Sequence, residues 1–414
     1  MKRATVVLLV ACVCVAAVLA QNPLPDVPQP TPAWATQTDA PPPSRPSQYQ
    51  METIASGLWH PWALQFLPDG RFLITERPGH IRIVDQKGWM SSPIAGMPPV
   101  RYVAAEGLHD LVLDPDFATN RLIYFSYFAP PDGQPGGAGQ AADWNRWLLL
   151  PEPERESKRI GFERVARARL SSDGTRLEDV RVILEGGNRR LRFLRDGTLA
   201  VTSASRAGGG DVAIDDLPQR LDLPYGKVLR INADGSIPKD NPLVGRQGAR
   251  PEIYAVGTRD PEGAFVHPTT GDLWMVEHGP MGGDELNRVR AGANLGFPVI
   301  SYGRKYSGDQ FTTKTAQDGM EQPVYFWVPS IGPSGLLVYT GDLFSDWKGN
   351  VFVGSMPGRH LVRLVLNGDR VAYEEKLLAD AGWRIRDVRQ GPDGALYILT
   401  DEDNGRLLRL TPRR

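Results

Sequence analysis

The sequence predicts an all-β protein, a six-bladed β-propeller made of four-stranded antiparallel blades. A polar turn that leads into a strand recurs six times, in segments that begin at Leu67, Leu113, Leu194, His267, Phe344 and Gly391. Most of these segments are followed by a second short strand that opens with Gly or Asp. Strand pairs that repeat at this interval without helical periodicity are typical of radial blades. A β-sandwich or two small β-domains is the alternative, but no linker-like stretch divides residues 51–414.

The chain begins with the pattern of a secretory signal peptide, predicted over residues 1–20. Met1 and two basic residues precede an apolar run from Ala4 to Ala20, and cleavage is expected after Ala20. A single-span anchor is the alternative, although the run is short for crossing a bilayer. We therefore expect a periplasmic or secreted protein that meets the membrane only through this segment. Both cysteines, Cys12 and Cys14, lie inside it, so the mature protein would have no disulfide.

Residues 21–50 are rich in proline and show no periodic apolar pattern, which predicts a semi-rigid linker ahead of a propeller domain over residues 51–414. The 414 residues of the chain are 41% hydrophobic, so that domain can bury a large core. The formal net charge of -1 gives no bias toward nucleic acid or anionic lipid. Small molecules are the expected partners.

The segment from Ile253 to Pro298 carries the residues that best indicate a function. Arg259 offers a planar guanidinium group that suits a carboxylate ligand. The Gly279-Pro280 turn presents backbone carbonyls, and the Asp-Glu pair that follows adds oxygen ligands of the type that calcium takes. An anion-binding arginine beside such a turn predicts a polyanionic cofactor bridged by a metal.

In this segment the chain resembles the pyrroloquinoline quinone (PQQ)-dependent aldose sugar dehydrogenases, the glucose/sorbosone dehydrogenase family. Members carry G-x-R-N-x-x-G, E-x-G-P-x-x-x-D-E and G-x-N-Y-G-W-P, and the chain reproduces all three in order with limited substitutions. The opening and final blades resemble the family too, so the resemblance covers about residues 51–412. It implies a PQQ- and calcium-dependent oxidoreductase that oxidises the anomeric hydroxyl of a small-molecule aldose to a lactone, with an unspecified electron acceptor.

The resemblance also implies a set of cofactor-binding residues. They are Arg259, Asp260, Tyr306, Ser330, Arg384 and Arg386. Arg384 and Arg386 lie two positions apart in a predicted strand, so both side chains can reach one site. A solvated edge or a salt bridge is the alternative for these arginines. Asp260 replaces the family's asparagine and would place a negative charge beside an anionic cofactor, unless it pairs with Arg259 or the metal.

Two calcium positions follow from the resemblance. A calcium ion that bridges PQQ would use the backbone carbonyls of Gly279 and Pro280. A structural calcium ion would use Glu285, which follows Asp284, and the carbonyl of Leu295, where the family has tyrosine. Ordinary turn charges are the alternative for Asp284 and Glu285.

The sequence lacks the family's general base for the substrate hydroxyl proton. The family places a histidine in H-x-G-G-R-L, where this chain reads EGGNRRLRF, with Gly186 or Gly187 at the histidine position. His109, at the mouth of a predicted strand, is the candidate substitute, since Asp110 or Glu106 could raise its basicity.

Further departures from the family pattern fall on expected pocket positions at Ala105, Ala204 and Pro357. A propeller that binds sugar or cofactor without turnover is therefore the second hypothesis. A calcium-dependent lactonase-type hydrolase is the third, although the sequence does not show the several inward-facing metal ligands that such an enzyme needs.

Overall fold

A computed structural model describes residues 30–102, 105–130, 137–138, 162–205, 216–306 and 308–413. The predicted signal peptide lies outside these ranges. Helix in the described part of the chain is limited to one short α-helix and two 3₁₀ turns, at Phe117–Asn120, Ser345–Trp347 and Ala379–Ala381. No helix among the described residues has the length and apolar character needed to cross a membrane.

The strands are numbered in chain order. They are β1 (Tyr49–Leu58), β2 (Pro61–Phe66), β3 (Phe72–Glu76), β4 (His80–Val84), β5 (Arg101–Tyr102), β6 (Leu108–Leu113), β7 (Leu122–Phe128), β8 (Gly137–Ala138), β9 (Glu163–Leu170), β10 (Leu177–Glu185), β11 (Leu191–Phe193), β12 (Leu199–Ser203), β13 (Lys227–Ile231), β14 (Ile253–Val256), β15 (Pro261–Val266), β16 (Leu273–Glu277), β17 (Asp284–Val289), β18 (Tyr325–Trp327), β19 (Pro333–Val338), β20 (Val351–Ser355), β21 (His360–Asn367), β22 (Arg370–Leu377), β23 (Ile385–Gln390), β24 (Leu396–Thr400) and β25 (Gly405–Pro412).

These strands form a six-bladed β-propeller, which confirms the predicted fold. Blade 1 contains β2, β3 and β4, blade 2 contains β6, β7, β9 and β10, and blades 3, 4 and 5 are β11–β14, β15–β18 and β19–β22. Blade 6 contains β23, β24, β25 and β1, so the first strand of the chain closes the last sheet by pairing with β25. In the described residues blade 1 has three strands, and a single bridge from Val84 to Met90 continues it. The short strands β5 and β8 form a separate parallel pair.

The predicted turn-and-strand segments supply the second strand of every blade. Strands β12, β16, β20 and β24 are buried at every position, because each lies between two strands of its own sheet and two neighbouring blades. Six hydrophobic clusters lie between neighbouring blades and form the core. The first strands of successive blades contact one another around a closed ring, from β2 through β6, β11, β15, β19 and β23 back to β2.

The described part of the predicted linker is packed onto the propeller. Gln37 is fully buried, and its carbonyl accepts the Phe326 N–H at the edge of blade 4. The Pro41 carbonyl accepts the Glu374 N–H at the edge of blade 5, and Ser47 bonds the carboxylate of Glu375. The segment therefore covers the outer edges of two blades, where unpaired backbone groups would otherwise be exposed.

Charged side chains fill the centre of the ring of first strands. We call these residues the axis cluster: Asp110, Arg190, Arg192, Asp387 and Arg389. Arg190 has no exposed surface and lies over the Trp62 ring, with its guanidinium carbon 3.9 Å from the ring centroid. This stack separates the axis cluster from the cavity above it.

Candidate active site

A cavity of about 540 Å³ opens where the first strands of the blades begin. Its floor includes Trp62 of β2. Its charged walls come from residues in or just before β11, β15 and β23 and from residues just after β3 and β24. We call the charged lining residues the cavity cluster: Arg77, Arg189, Asp260, Glu262, Arg384, Arg386 and Asp401. Four arginines face three carboxylates, which leaves a formal excess of one positive charge. A larger depression of about 740 Å³ lies between blades 6 and 1, but it includes none of these residues.

Arg384 and Arg386 both line the cavity, as strand alternation predicts, but their surroundings differ. Arg386 is buried and forms ion pairs with Glu262 at 3.2 Å and with Asp401 at 2.7 Å. Burial opposes its charge, yet these two carboxylates raise the pKa of Arg386 above its ordinary value. The Arg384 side chain is 37% exposed and lies 3.8 Å from Asp401, so most of its hydrogen-bonding capacity faces the cavity.

Arg259 lies behind the cavity wall and does not line it. Its guanidinium donates to the carbonyl of His278 at 3.0 Å and to the hydroxyl of Tyr306 at 3.5 Å, and its backbone N–H donates to Glu277. Tyr306 does line the cavity and is half exposed. Arg259 therefore holds the wall in place in this structure, and its predicted contact with a cofactor carboxylate stays a prediction.

Asp260 lines the cavity and pairs with neither Arg259 nor the Gly279-Pro280 turn. Its Oδ1 accepts a hydrogen bond from Arg189 at 2.9 Å. Burial raises the pKa of Asp260, but Arg189, His278 and Arg259 outweigh that effect and hold the pKa below its ordinary value. The sequence did not reveal this partner, because Arg189 is 71 positions away in the neighbouring blade.

Asp284 is a structural carboxylate and not an open metal ligand. Its two oxygens accept hydrogen bonds from the backbone N–H groups of Gly279, Ile331 and Gly332 and from the hydroxyl of Ser330, at 2.7–3.0 Å. This carboxylate therefore fastens the Gly279 turn to the loop that carries Ser330. Ser330 lines the cavity, but its hydroxyl hydrogen is engaged by Asp284.

Glu285 is the next residue after Asp284, but its surroundings differ. It lies opposite Glu277 where β17 pairs with β16. The amide of Asn287 donates to both carboxylates, at 3.1 Å to Glu277 and 3.0 Å to Glu285. Burial and the charge of Asp284 raise the pKa of Glu285 to about 7, while burial and Glu285 raise that of Glu277. One buried and one partly buried carboxylate share this amide, and the chemistry of the donor set fits calcium.

The remaining metal candidates are backbone carbonyls. Gly279 lines the cavity, and the Pro280 carbonyl accepts the backbone N–H of Arg304 at 2.9 Å, which leaves one lone pair for a ligand. Leu295 is buried, and its N–H donates to Val256. No cluster of three or more His, Cys, Asp or Glu side chains that could hold a metal occurs among the described residues. A calcium site here would therefore depend on backbone oxygens.

His109 does not reach the cavity, which corrects its expected position. Its ring is fully buried and stacked on Trp62 at 4.9 Å, and its nitrogens lie 2.7 Å from the Asn188 carbonyl and 3.0 Å from the Ala105 carbonyl. Burial and the charge of Arg189 lower the pKa of His109 well below its ordinary value. A ring with these contacts supports the cavity floor and has no exposed atom with which to meet a substrate.

His278 is the imidazole that lines the cavity in the described part of the chain. Its Nε2 lies 2.7 Å from the Pro333 carbonyl, which can only accept, so Nε2 carries the hydrogen. Its Nδ1 lies 3.9 Å from Asp260 Oδ2 and is left with a lone pair. The sequence gives no indication that this histidine reaches the cavity, because spacing alone does not distinguish it from the others.

The comparisons with known proteins agree with this fold. A profile of the family described as Glucose / Sorbosone dehydrogenase matches residues 58–409. Aldose sugar dehydrogenase YliI of Escherichia coli (strain K12) is 37% identical over 380 residues, which cover 89% of this chain and 94% of that protein.

Two solved structures show the same architecture. The soluble aldose sugar dehydrogenase from Escherichia coli in the apo-form is 35% identical with a TM-score of 0.76, and the match covers 88% of this chain and 100% of that one. The PQQ-bound form of aldose sugar dehydrogenase from Streptomyces coelicolor is 22% identical with a TM-score of 0.64, covers 89% of this chain and 100% of that one, and shares the fold. The resemblance seen in the sequence is thus confirmed, and the chain belongs to the glucose/sorbosone dehydrogenase family.

Proposed function

We propose that this protein oxidises the anomeric hydroxyl of an aldose to a lactone with PQQ as its cofactor, in the periplasm or outside the cell. Family membership supports the reaction class. The observation that carries the proposal is the cavity cluster, in which four arginines from three blades converge on one space of about 540 Å³. That volume is in the range of small-molecule sites.

The cavity fits a tricarboxylate that is bound together with calcium. Among the lining residues the arginines exceed the carboxylates by one charge, and calcium would add two more, which together balance three carboxylates. Arg384 and Arg386 would hold cofactor carboxylates from β23, with Arg259 supporting the wall beside Tyr306. The carbonyls of Gly279 and Pro280 would hold the bridging calcium ion, and Glu285 the structural one. When bound, PQQ accepts the two electrons that leave the sugar.

The chain itself must supply a proton acceptor. Nδ1 of His278 has a lone pair, lines the same cavity and lies beside Asp260 Oδ2, which can stabilise the imidazolium that forms. Arg189 holds the Asp260 carboxylate, and Arg259 holds the backbone carbonyl of His278. The imidazole and the carboxylate beside it are therefore positioned before substrate binds. We assign the base role to His278 on this geometry.

Titration of the calcium-loaded mature protein with PQQ, followed by addition of an aldose and an artificial electron acceptor, tests the proposed function. We expect saturable PQQ binding and sugar-dependent reduction of the acceptor. His278→Gln should lower turnover by roughly 100- to 10,000-fold without weakening PQQ binding, because a positioned base contributes that much. His109→Gln is the matched control and should keep most turnover. The opposite pattern would return the base role to His109.

A propeller that binds without turnover stays the second candidate, because His278 is the only imidazole lining the cavity among the described residues. Tight PQQ binding with no turnover for any aldose would favour it. Absence of PQQ binding would remove the first candidate and leave only a propeller that binds sugar.

Calcium is tested separately by thermal unfolding. A ligand that binds only the folded state stabilises it, so a chelator should lower the melting temperature. Glu285→Gln should remove most of this chelator sensitivity. Asp284→Asn should lower the melting temperature equally with and without calcium, because Asp284 accepts backbone hydrogen bonds. A melting curve indifferent to chelator and to added calcium would contradict the structural calcium site.

A further inference from the structure

Arg189 is a cavity residue whose position only the structure shows. It lies between β10 and β11, and its side chain is 9% exposed. One nitrogen of its guanidinium lies 2.9 Å from Asp260 Oδ1 and another lies 3.3 Å from Glu262 Oε1. Its Nε is buried and has no hydrogen-bond partner among the described residues. Arg189 thus bridges two of the three carboxylates in the cavity cluster.

Both residues of the Arg189–Asp260 ion pair depart from the family motifs. Asp260 stands where G-x-R-N-x-x-G has asparagine. When H-x-G-G-R-L is aligned on Arg190 and Leu191, Arg189 stands where the motif has glycine. The added acid and the added base lie in different blades and contact each other directly. The acid of one blade is therefore balanced by the base of the next.

Arg189 makes the closest contact to Asp260 of any basic side chain among the described residues. Only Arg189 and His278 have a basic nitrogen within 4.0 Å of its carboxylate in this part of the chain, and His278 is at 3.9 Å. Arg386 already bridges Glu262 and Asp401, and Arg259 donates to the His278 carbonyl. Without Arg189, three arginines would face three carboxylates in the cavity lining, and two of those carboxylates would lose a partner.

We propose that Arg189 is the residue that makes this cavity able to bind an anionic cofactor, by neutralising Asp260 and Glu262. The inference rests on the proposed function, since it concerns the same site. Arg189 acts here as a positioning residue, because its effect passes through the two carboxylates. Like charges brought together in a partly buried site repel strongly, so an uncompensated Asp260 and Glu262 would oppose the carboxylates of PQQ.

The test is PQQ affinity by isothermal titration calorimetry in excess calcium, which needs no turnover. Arg189→Met should weaken binding by roughly tenfold or more, because a cation is lost beside two anions. Arg189→Lys keeps the charge and should lie between Met and the wild type. The triple variant Arg189→Met, Asp260→Asn, Glu262→Gln has no charge left to compensate, and it should bind at least as tightly as wild type.

The outcomes separate this inference from the proposed function. Tight wild-type binding with unchanged affinity in Arg189→Met overturns the inference alone. A triple variant that binds tenfold more weakly than wild type also overturns it, because Arg189 would then contact the cofactor itself. If Arg189→Met fails to fold, the triple variant, which buries no unpaired carboxylate at these positions, gives the decision by itself. A wild type that binds no PQQ overturns the proposed function and this inference with it.

Discussion

The axis cluster and the cavity cluster are built from neighbouring residues of the same strands, yet they behave differently. Arg189 and Arg190 are adjacent, as are Arg386 and Asp387, and in each pair the first residue lines the cavity while the second lies on the axis. In the axis cluster, backbone carbonyls of β15 accept from the arginines: Arg190 donates to the Glu262 carbonyl at 2.6 Å. In the cavity cluster, carboxylates are the main partners.

The pKa values do not separate the two clusters, because burial and carboxylates act in both. Burial and the nearby Arg389 lower the pKa of Arg192 on the axis to about 10, although Asp110 opposes them. In the cavity, carboxylates outweigh burial and raise the pKa of Arg386. On the axis, Asp387 and Asp110 likewise outweigh burial and raise the pKa of Arg389, while in the cavity burial lowers that of Arg384. The two clusters differ instead in exposure: the axis arginines are enclosed by carboxylates and backbone carbonyls, whereas Arg384 borders open space and can accept a ligand.

The largest effect is expected from removing the shared anion of the axis cluster. Asp110 lies 2.7 Å from Arg192, 3.5 Å from Arg190 and 3.4 Å from Arg389. Asp110→Asn leaves these buried cations with Asp387 alone and should lower the free energy of unfolding by about 3–5 kcal/mol, measured by denaturant titration. Glu52→Gln, which breaks an exposed pair with Arg409, is the control and should cost less than about 1 kcal/mol. Equal effects of the two variants would remove the distinction between axis and surface pairs.

A matched pair of arginine variants at β23 sharpens the comparison. Arg384→Ala should weaken PQQ binding by about 1.5–3 kcal/mol, the scale of a charge-assisted hydrogen bond, and should leave the unfolding free energy nearly unchanged. Arg389→Ala should do the reverse, because Arg389 bonds Asp387 at 2.8 Å on the axis and does not line the cavity. Calorimetric titration with PQQ and thermal unfolding give the two readouts.

Loss of cofactor affinity in Arg389→Ala, with none in Arg384→Ala, would show that cofactor binding does not depend on the cavity cluster. Loss of both properties in both variants would mean that the clusters form one network.

The smallest expected effect is the pH dependence of stability that arises from His60, which lies beside the cavity residue Asp401. A hydrogen bond with Asp401 raises the pKa of His60 above its ordinary value, although partial burial opposes this. The resulting stabilisation is fully present below the unfolded pKa of about 6.5 and is lost as the pH rises through the folded pKa. Wild type should therefore exceed His60→Asn in stability at pH 5.5, by at most about 1 kcal/mol, and this gap should shrink by pH 8.5.

Unfolding measured at several pH values with both proteins checks this expectation. Asparagine is chosen because residue 60 has a φ of 45°, a conformation that asparagine tolerates better than most residues. A gap that widens as the pH rises would contradict the assigned ion pair.

Several features were predictable from the sequence because they depend on local periodicity. Strand alternation and the repeated turns predict the six blades, and the middle strands lie where the turn segments place them. Alternation also predicts that Arg384 and Arg386 reach one cavity. The family motifs indicate the Gly279-Pro280 turn at the cavity wall and the relationship to sugar dehydrogenases.

Only the tertiary structure decided which charges meet and how deep each side chain lies. A strand pattern tells which face a residue takes, but not the position of a partner in the next blade, so the Arg189–Asp260 pair could not be read from the sequence. Nor does it distinguish the cavity floor from the layer beneath it, so His109, which was expected at the mouth of a strand, is buried behind Trp62. The local sequence determines the direction in which each side chain leaves its strand. The closure of six blades into a ring determines the distances between side chains of different blades, and the strength of an ion pair depends on that distance.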